Sequence, residues 1–206
     1  MVTGCDFVTG SPAIAASNVE YQQANKYGIR VLRRAEILAA ICARTTSIGV
    51  AGTHGKTTTS SMLATILSKA DKNPSFLIGG DLVAFDRGAK WTNGNLFVVE
   101  ADESDGTHER LPLAATILTN VDVDHLDHFK THVAIEQSFT RYIGNISGPR
   151  ILCADDPVCA SLAKQLGAIT YSIKGRFISR LFGNPDSIQR RKCVVCRRSK
   201  FWHPQN

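Results

Sequence analysis

The chain has 206 residues, of which 43% are hydrophobic and 20% are charged, and its formal net charge is +6. These proportions are ordinary for a globular protein, and the length allows one sizeable α/β core or one domain with a piece of another. No apolar run approaches the roughly 20 residues that cross a bilayer, so we expect no membrane span. The first residues lack a basic segment followed by an apolar core, so we expect a cytoplasmic protein without a signal peptide.

The positive charge is confined to the end of the chain. Residues 174–206 hold nine Lys and Arg side chains against one acidic side chain, whereas residues 1–173 hold 15 basic and 17 acidic side chains. Such an asymmetry marks a separate tail, which we predict to be disordered or the product of a frameshift. The alternative is a genuine basic tail that contacts nucleic acid through charge, and we expect no specific nucleic-acid partner.

The chain contains six cysteines, at positions 5, 42, 153, 159, 193 and 196. Without a secretory signal we expect them to be reduced thiols rather than disulfides. Cys193, Cys196 and His203 have the spacing of half a zinc knuckle, but a closed structural zinc site needs four ligands. We therefore favour a disordered tail over a zinc site.

Residues 1–45 have the pattern of a fragment of an α/β unit. We predict a strand at 6–9, a helix at 18–26, a strand at 29–32 and a helix at 33–43. The second helix carries Leu38 and Cys42 on one apolar face. A glycine fingerprint of the dinucleotide-binding type is absent, so we expect no phosphate site in this part.

Residues 46–173 alternate short apolar runs with helical patterns, which predicts an α/β fold with a mostly parallel sheet. The predicted strands are 47–51, 75–78, 96–99, 116–119, 150–154 and 169–172. The predicted helices are 56–69, 133–143 and 157–166. Pro157 suits the first turn of the last helix, with Asp155 or Asp156 as its N-cap.

The most informative segment is Gly52-Thr53-His54-Gly55-Lys56-Thr57-Thr58-Thr59, which joins the predicted strand 47–51 to the predicted helix 56–69. Backbone N–H groups of such a loop and the positive end of the following helix dipole bind anions. Lys56 can reach the outer phosphates of a nucleotide, and the Thr57 hydroxyl can bind Mg²⁺. The segment therefore predicts an ATP site.

The match is to a shorter variant of the general phosphate-loop pattern. That pattern has glycine five positions before Gly55, where this chain has Val50, so the fit is to G-T-x-G-K-T. The alternative is a glycine-rich turn that contains lysine and threonine by chance. We favour the phosphate loop because strand, loop and helix fall in the order that phosphate binding needs.

Two further polar clusters follow predicted strands. Residues 100–105 follow the strand 96–99, and residues 120–125 follow the strand 116–119. Because ligands of open α/β sheets bind beyond the carboxyl ends of the strands, we expect both clusters at the same edge as the loop. Glu100, with Thr57, would supply the few protein oxygens that Mg²⁺ takes. The alternative for Glu100 is an acidic, solvated surface turn.

Asn120 and His125 are candidates for nucleotide and metal contacts. The Asn120 amide could hydrogen-bond the base or ribose, and a neutral His125 could bind a second metal ion, although either could be an ordinary polar loop residue. The spacing of His125, His128 and His132 also suits zinc. However, no further ligand group accompanies these histidines, and acidic loops near phosphates favour magnesium.

Together these motifs resemble the Mur ligase family over residues 6–173. The resemblance rests on the segment 52–59, on residues 100–105 and on residues 119–125, and residues 11–18 and 28–36 resemble the end of that family's UDP-sugar domain. It implies that residues 1–45 are the C-terminal part of a Rossmann-like UDP-sugar-binding domain. Residues 46–173 would be part of an ATP-binding central domain with a P-loop-type sheet, and residues 174–206 would be a tail without the family pattern.

The resemblance also implies an activity. Members of the family are ATP-dependent carboxylate–amine ligases, and this chain would act in peptidoglycan precursor synthesis on UDP-N-acetylmuramate and L-alanine. The muramoyl carboxylate would be phosphorylated to an acyl phosphate, and the amine of alanine would then attack it. Such chemistry depends mostly on positioning and on cations that stabilise the transferring charge.

Site roles follow from the same resemblance. Lys56 would contact the ATP phosphates and His125 would lie near a second Mg²⁺, so these two are the candidate catalytic residues. Thr57 and Glu100 would hold the first Mg²⁺. The nucleotide would be bound by Gly52, Thr53, His54, Gly55, Lys56, Thr57, Thr58 and Asn120.

The resemblance covers well under half of the length of that family. The front of the UDP-sugar domain, the end of the central domain and the whole C-terminal domain have no counterpart in this sequence. Three alternatives therefore stay open: a catalytically inactive nucleotide-binding remnant, a related murein tripeptide ligase, and a small kinase.

Overall fold

The structure is a computed structural model and describes residues 2–11, 13–82, 85–122 and 131–172. Its first part is a two-stranded parallel sheet. In it, β1 (Phe7–Gly10) pairs with β2 (Arg30–Arg33), and α1 (Val19–Lys26) connects the two strands. Asn18 caps α1, because its side chain accepts a hydrogen bond from the Glu20 backbone N–H at 2.9 Å.

A second, seven-stranded sheet follows, with the strand order β5-β4-β6-β3-β7-β8-β9. Every pair of neighbours is parallel except β4 and β5, so the mostly parallel α/β sheet is confirmed. The strands are β3 (Thr46–Ala51), β4 (Ser75–Leu82), β5 (Arg87–Lys90), β6 (Leu96–Glu100), β7 (Ala115–Leu118), β8 (Arg150–Cys153) and β9 (Ile169–Tyr171). The helices are α2 (Arg34–Cys42), α3 (Lys56–Lys69), α4 (His132–Gly144) and α5 (Pro157–Leu166), with a 3-10 turn at His108–Arg110.

All the strands and helices predicted for residues 46–173 are present, and α3 and α5 begin and end at the predicted residues. Asp156 is the cap of α5, because its carboxylate accepts a hydrogen bond from the Cys159 backbone N–H at 2.8 Å. The sequence did not predict β5 or the 3-10 turn. The four residues of β5 lack apolar alternation, and the 3-10 turn is too short to show a period.

Helices cover both faces of the large sheet. On one face, Leu38 of α2 and Phe139 of α4 belong to a single buried cluster that also includes α5. On the other face, Ala64 of α3 packs in a smaller cluster. Along β6, Phe97 belongs to the first cluster and Val98 to the second, as expected for successive strand residues. This two-sided cover leaves the carboxyl ends of the parallel strands as the place for a ligand.

The packing of α2 crosses the predicted domain boundary at residues 45 and 46. Leu38 and Cys42 are buried in the same cluster as residues of β3, β6 and β7, although the sequence placed α2 with residues 1–45. The division into domains stays a prediction. Within the residues that the structure describes, no helix combines the length and the apolar character needed to cross a bilayer.

A buried histidine joins the 3-10 turn to α4. His108 has no solvent exposure, and its Nε2 lies 2.9 Å from Ser138 Oγ. The Ser138 hydroxyl donates a hydrogen bond to Glu109, whose carboxylate also accepts two hydrogen bonds from Arg141 at 2.9 Å. Burial lowers the pKa of His108 to about 4, so the ring is neutral at pH 7.

We expect the fold to lose stability in mild acid because of His108. The unfolded chain takes up a proton near pH 6.5, whereas the folded chain does so only near its pKa of about 4. This difference removes up to about 3 kcal/mol from the free energy of unfolding as the pH falls through that window. Urea unfolding at pH values from about 7 to about 4.5 measures the loss.

The matched control for this prediction is His108→Phe, which keeps a ring beside Phe139 and Tyr142 but cannot titrate. Its free energy of unfolding should depend much less on pH in the same window. An equal pH dependence in both proteins would show that other groups cause the loss.

Candidate functional site

Three polar segments meet at the carboxyl edge of the large sheet. β3 lies between β6 and β7 and is parallel to both, so the segments that follow these strands emerge side by side. They are the 52–55 loop (Gly52 to Gly55), the acidic turn (residues 101–106, preceded by Glu100) and residues 119–122. The expected convergence is therefore present. His125, the candidate for a second metal ion, lies outside the described residues.

The 52–55 loop has a backbone that glycine makes possible. Gly52 has a φ of +125° and Gly55 a φ of +81°, both in the region that other residues rarely adopt. A Cβ at Gly52 would collide with the Thr119 hydroxyl and lie 2.8 Å from the carbonyl oxygen of Asn120. Gly52 therefore lets β3 turn tightly against the end of β7, and Gly55 lets the chain enter α3.

The end of β7 holds the loop in place. Asn120 Nδ2 donates to the His54 carbonyl oxygen at 2.9 Å, and Asn120 Oδ1 accepts from the His54 N–H at 2.9 Å. The Thr119 hydroxyl donates to the same carbonyl at 2.7 Å, and the Asp122 N–H donates to Thr53 Oγ1 at 2.8 Å. The Asn120 amide is thus bonded to the loop backbone, and its predicted contact with the nucleotide stays a prediction.

The N-terminus of α3 presents an anion-binding surface. Backbone N–H groups in the first turn of a helix have no acceptor within the helix, and the helix dipole makes this end positive. Here that turn consists of Lys56, Thr57 and Thr58, and the last two are exposed. Since Gly55 adds no side chain over the turn, an anion can approach the N–H groups directly.

Lys56 is turned into the loop. Its Nζ donates to the Gly52 carbonyl oxygen at 2.8 Å and to both carboxylate oxygens of Glu103, at 2.9 Å and 3.0 Å. The Lys56 side chain is 15% exposed and the Glu103 side chain 3%. The role of Glu103 was not predicted from the sequence, because four acidic residues lie within six positions there and no local signal selects one of them.

Glu100 and Thr57 both lie against β4, at the neighbouring residues Gly79 and Gly80. The Gly79 backbone N–H donates to Glu100 Oε1 at 3.1 Å. A Cβ at Gly79 would lie 3.1 Å from Glu100 Oε2, and a Cβ at Gly80 would lie 3.3 Å from the Thr57 methyl group. The absence of side chains on these two glycines therefore lets β4 lie against the Glu100 carboxylate and the Thr57 side chain.

The oxygen atoms of this corner suit Mg²⁺, which takes one or two protein carboxylates and keeps several waters. In the described part of the chain, no three His, Cys, Asp or Glu side chains are grouped as a metal site. The Glu100 carboxylate and the Thr57 hydroxyl are donors that suit a hard cation sharing its ligands with a phosphate.

A cleft of about 650 Å³ lies between the first part of the chain and the acidic turn. Its lining includes Ser11, Tyr21, Arg33, Arg34, Ser104 and Arg110. Arg34 Nη2 lies 3.0 Å from Asp105 Oδ2 and joins α2 to the acidic turn. Burial by itself would raise the pKa of Asp105. Hydrogen bonds from Thr107 and Arg34 outweigh this effect and hold the pKa below its usual value.

Comparison with known proteins gives relatives that share most of this chain. The UDP-N-acetylmuramate–L-alanine ligase of Renibacterium salmoninarum is 44% identical over 169 residues, which are 81% of this chain and 36% of that protein. The ligase of the same name from Nitrobacter winogradskyi is 42% identical over 167 residues, which are 80% of this chain and 36% of that protein. The chain thus spans little more than a third of these relatives.

Solved structures share the fold. The UDP-N-acetylmuramate–alanine ligase of Thermotoga maritima superimposes with a TM-score of 0.72 at 26% identity, over 82% of this chain and 39% of that chain. The UDP-N-acetylmuramate:L-alanyl-gamma-D-glutamyl-meso-diaminopimelate ligase of Neisseria meningitides gives a TM-score of 0.69 at 26% identity, over 81% of this chain and 58% of that chain.

The family model of the Mur ligase middle domain matches residues 50–192. This match includes the 52–55 loop, the acidic turn and the end of β7. It extends beyond residue 173, where the sequence analysis placed the end of the resemblance, and the residues after 172 lie outside the described part of the chain. Because the match covers more than half of the sequence, the chain belongs to the Mur ligase family.

Proposed function

We propose that this chain carries the nucleotide-binding part of an ATP-dependent ligase that joins L-alanine to UDP-N-acetylmuramate in peptidoglycan precursor synthesis. The observation that carries the proposal is the position of Lys56, which opens α3 at the edge where Glu100 and Asn120 also lie. The names of the relatives at 42–44% identity support this choice of substrates over a tripeptide.

The 52–55 loop and the first turn of α3 would bind the phosphates. The N–H groups of Thr57 and Thr58 point out of the helix end, where they can donate to phosphate oxygens. Lys56 adds a positive charge on a flexible stem that can reach the outer phosphates. The hydrogen bonds from Thr119 and Asn120 keep the loop in this shape before the nucleotide arrives, so little ordering is needed on binding.

Magnesium would be held by the Thr57 hydroxyl and the Glu100 carboxylate. A bound Mg²⁺ would neutralise charge on the phosphates during transfer. The Gly79 N–H keeps the Glu100 carboxylate oriented at the end of β6, and a side chain on Gly79 or Gly80 would crowd Glu100 or Thr57. His125 is proposed to approach a second Mg²⁺ on the basis of the family resemblance alone.

The UDP-sugar acid would occupy the cleft between the first part of the chain and the acidic turn. Arg33, Arg34 and Arg110 line this cleft and give it a positive character that suits a diphosphate. Ser104 lies in the same lining and directly follows Glu103, which contacts Lys56. The cleft and the 52–55 loop therefore lie on either side of the acidic turn. Transfer of a phosphoryl group from the nucleotide to the carboxylate requires such proximity.

The experiment that tests the proposal is an ADP-release assay with purified chain, Mg²⁺ and ATP. A ligase releases ADP in sustained turnover when both UDP-N-acetylmuramate and L-alanine are present. ADP formed with a hydroxyl acceptor and no amine would contradict the ligase and indicate a kinase. Nucleotide binding without any ADP release under these conditions would support a remnant that keeps only the nucleotide site.

We expect Lys56→Met to weaken the binding of Mg²⁺–ADP by tenfold or more, because a charge-assisted hydrogen bond to phosphate contributes about 1.5–3 kcal/mol. Isothermal titration calorimetry measures the change. Lys69→Met, at the far end of α3 and exposed, removes the same charge and should leave the affinity unchanged. Equal weakening by both variants would contradict a phosphate contact by Lys56.

The Lys56→Met variant leaves Glu103 buried without its cation, which threatens folding. The same titration is therefore made with the double variant Lys56→Met/Glu103→Gln, whose buried pair is uncharged. Thermal unfolding of both variants shows which of them is folded under the conditions of the titration.

We expect Glu100→Gln to reduce the Mg²⁺ dependence of nucleotide binding. With EDTA present, the variant should bind ADP at least as tightly as the parent chain, because one negative charge near the phosphates is gone. Added Mg²⁺ should strengthen binding about tenfold more in the parent chain than in the variant, since a neutral amide is a much weaker ligand for Mg²⁺. Glu20→Gln in α1 is exposed and makes the same chemical change elsewhere. An unchanged Mg²⁺ dependence in Glu100→Gln would remove this residue from the metal site.

A further inference from the structure

Acceptors of the chain itself surround the ammonium group of Lys56. It carries three hydrogens, and three acceptors lie within 3.0 Å of Nζ: the Gly52 carbonyl oxygen and the two oxygens of Glu103. A fourth acceptor, the Thr53 carbonyl oxygen, lies at 3.4 Å. In this arrangement the lysine is bonded to the loop and to the acidic turn, so a phosphate oxygen competes with these acceptors for the ammonium hydrogens.

The segment that carries Glu103 is held in place by several further hydrogen bonds. The Gly106 N–H donates to the Glu103 carbonyl oxygen at 3.1 Å, and the Ser104 N–H donates to the Asp102 carboxylate at 3.0 Å. Arg34 holds Asp105 from the other side at 3.0 Å. The Glu103 side chain is 3% exposed, whereas Lys56 has four flexible carbons. The lysine is therefore the partner that moves.

We propose that Glu103 restrains Lys56 in the nucleotide-free chain, and that Lys56 leaves Glu103 when a polyphosphate binds. This inference rests on the proposed function, because it takes the 52–55 loop as the phosphate site. Glu103 is a positioning residue: it acts on the phosphate through Lys56. Its carboxylate also cancels the positive charge that the loop would otherwise present to an anion.

The restraint of Lys56 and the negative charge of Glu103 both weaken the binding of a polyphosphate. Removing the charge of Glu103 weakens its hold on Lys56 in the free chain and leaves the loop more positive, so a polyphosphate should bind more tightly. A residue that merely kept the turn folded would weaken binding when replaced. The sign of the change in affinity therefore separates restraint from structural support.

The test is the dissociation constant of Mg²⁺–ADP for the full chain and for Glu103→Gln, measured by titration calorimetry. We expect Glu103→Gln to lower the constant by about tenfold, the equivalent of about 1.4 kcal/mol. The matched control is Glu109→Gln, since Glu109 is also ion-paired, with Arg141, but lies away from the loop. The control should leave the constant unchanged, and equal tightening by both variants would overturn the proposal.

A second variant tests the contact itself and covers the case in which Glu103→Gln does not fold. Glu103→Asp keeps the charge but withdraws it from Lys56 by one methylene group. If direct contact holds the lysine, this variant also binds Mg²⁺–ADP more tightly than the parent chain. An unchanged or weaker affinity for Glu103→Asp would overturn the restraint by contact.

The outcomes also separate this inference from the proposed function. If the parent chain binds Mg²⁺–ADP and Glu103→Gln binds it equally or less tightly, the restraint is wrong and the nucleotide site stands. If neither the parent chain nor the folded variants bind Mg²⁺–ADP at millimolar concentration, both the site and the restraint are wrong.

Discussion

The shape of the 52–55 loop depends on hydrogen bonds from the neighbouring strand. A loop that bends back at two glycines with positive φ leaves its own N–H and C=O groups without regular partners. Thr119 and Asn120 supply them, and the absence of a side chain on Gly52 lets these residues approach. The anion-binding end of α3 is therefore built by β3 and β7 together.

The other side of β3 supplies the charges. β6 ends in Glu100 and continues into the acidic turn, so carboxylates face the phosphate loop from the adjacent strand. One of them, Glu103, is paired with Lys56, and another, Glu100, accepts a hydrogen bond from the Gly79 N–H. The two carboxylates thus differ in role: Glu103 neutralises the charge of Lys56, and Glu100 is placed to bind a cation. The acidic turn then reaches the arginine-lined cleft through Asp105 and Arg34.

Much of the secondary structure and of the candidate site could be predicted from the sequence, because local signals agree with the fold. The bounds of α3 and α5 follow from a glycine turn and from Asp156-Pro157, which act within a few residues. β5 was not predicted because its four residues have no strand pattern of their own. The strand forms only by pairing with β4, in a register interrupted by a bulge. The role of Glu103 was missed for a similar reason, since only the folded sheet brings the acidic turn beside Lys56.

Hydrogen–deuterium exchange with and without Mg²⁺–ATP would locate the nucleotide on the chain. We expect slower amide exchange in three segments at once: residues 52–58, Gly79 and Gly80 of β4, and residues 119–122. Protection of these segments together would place the nucleotide at the carboxyl edge of the sheet. Protection confined to the cleft lined by Arg33 and Arg34, or no protection at all, would contradict it.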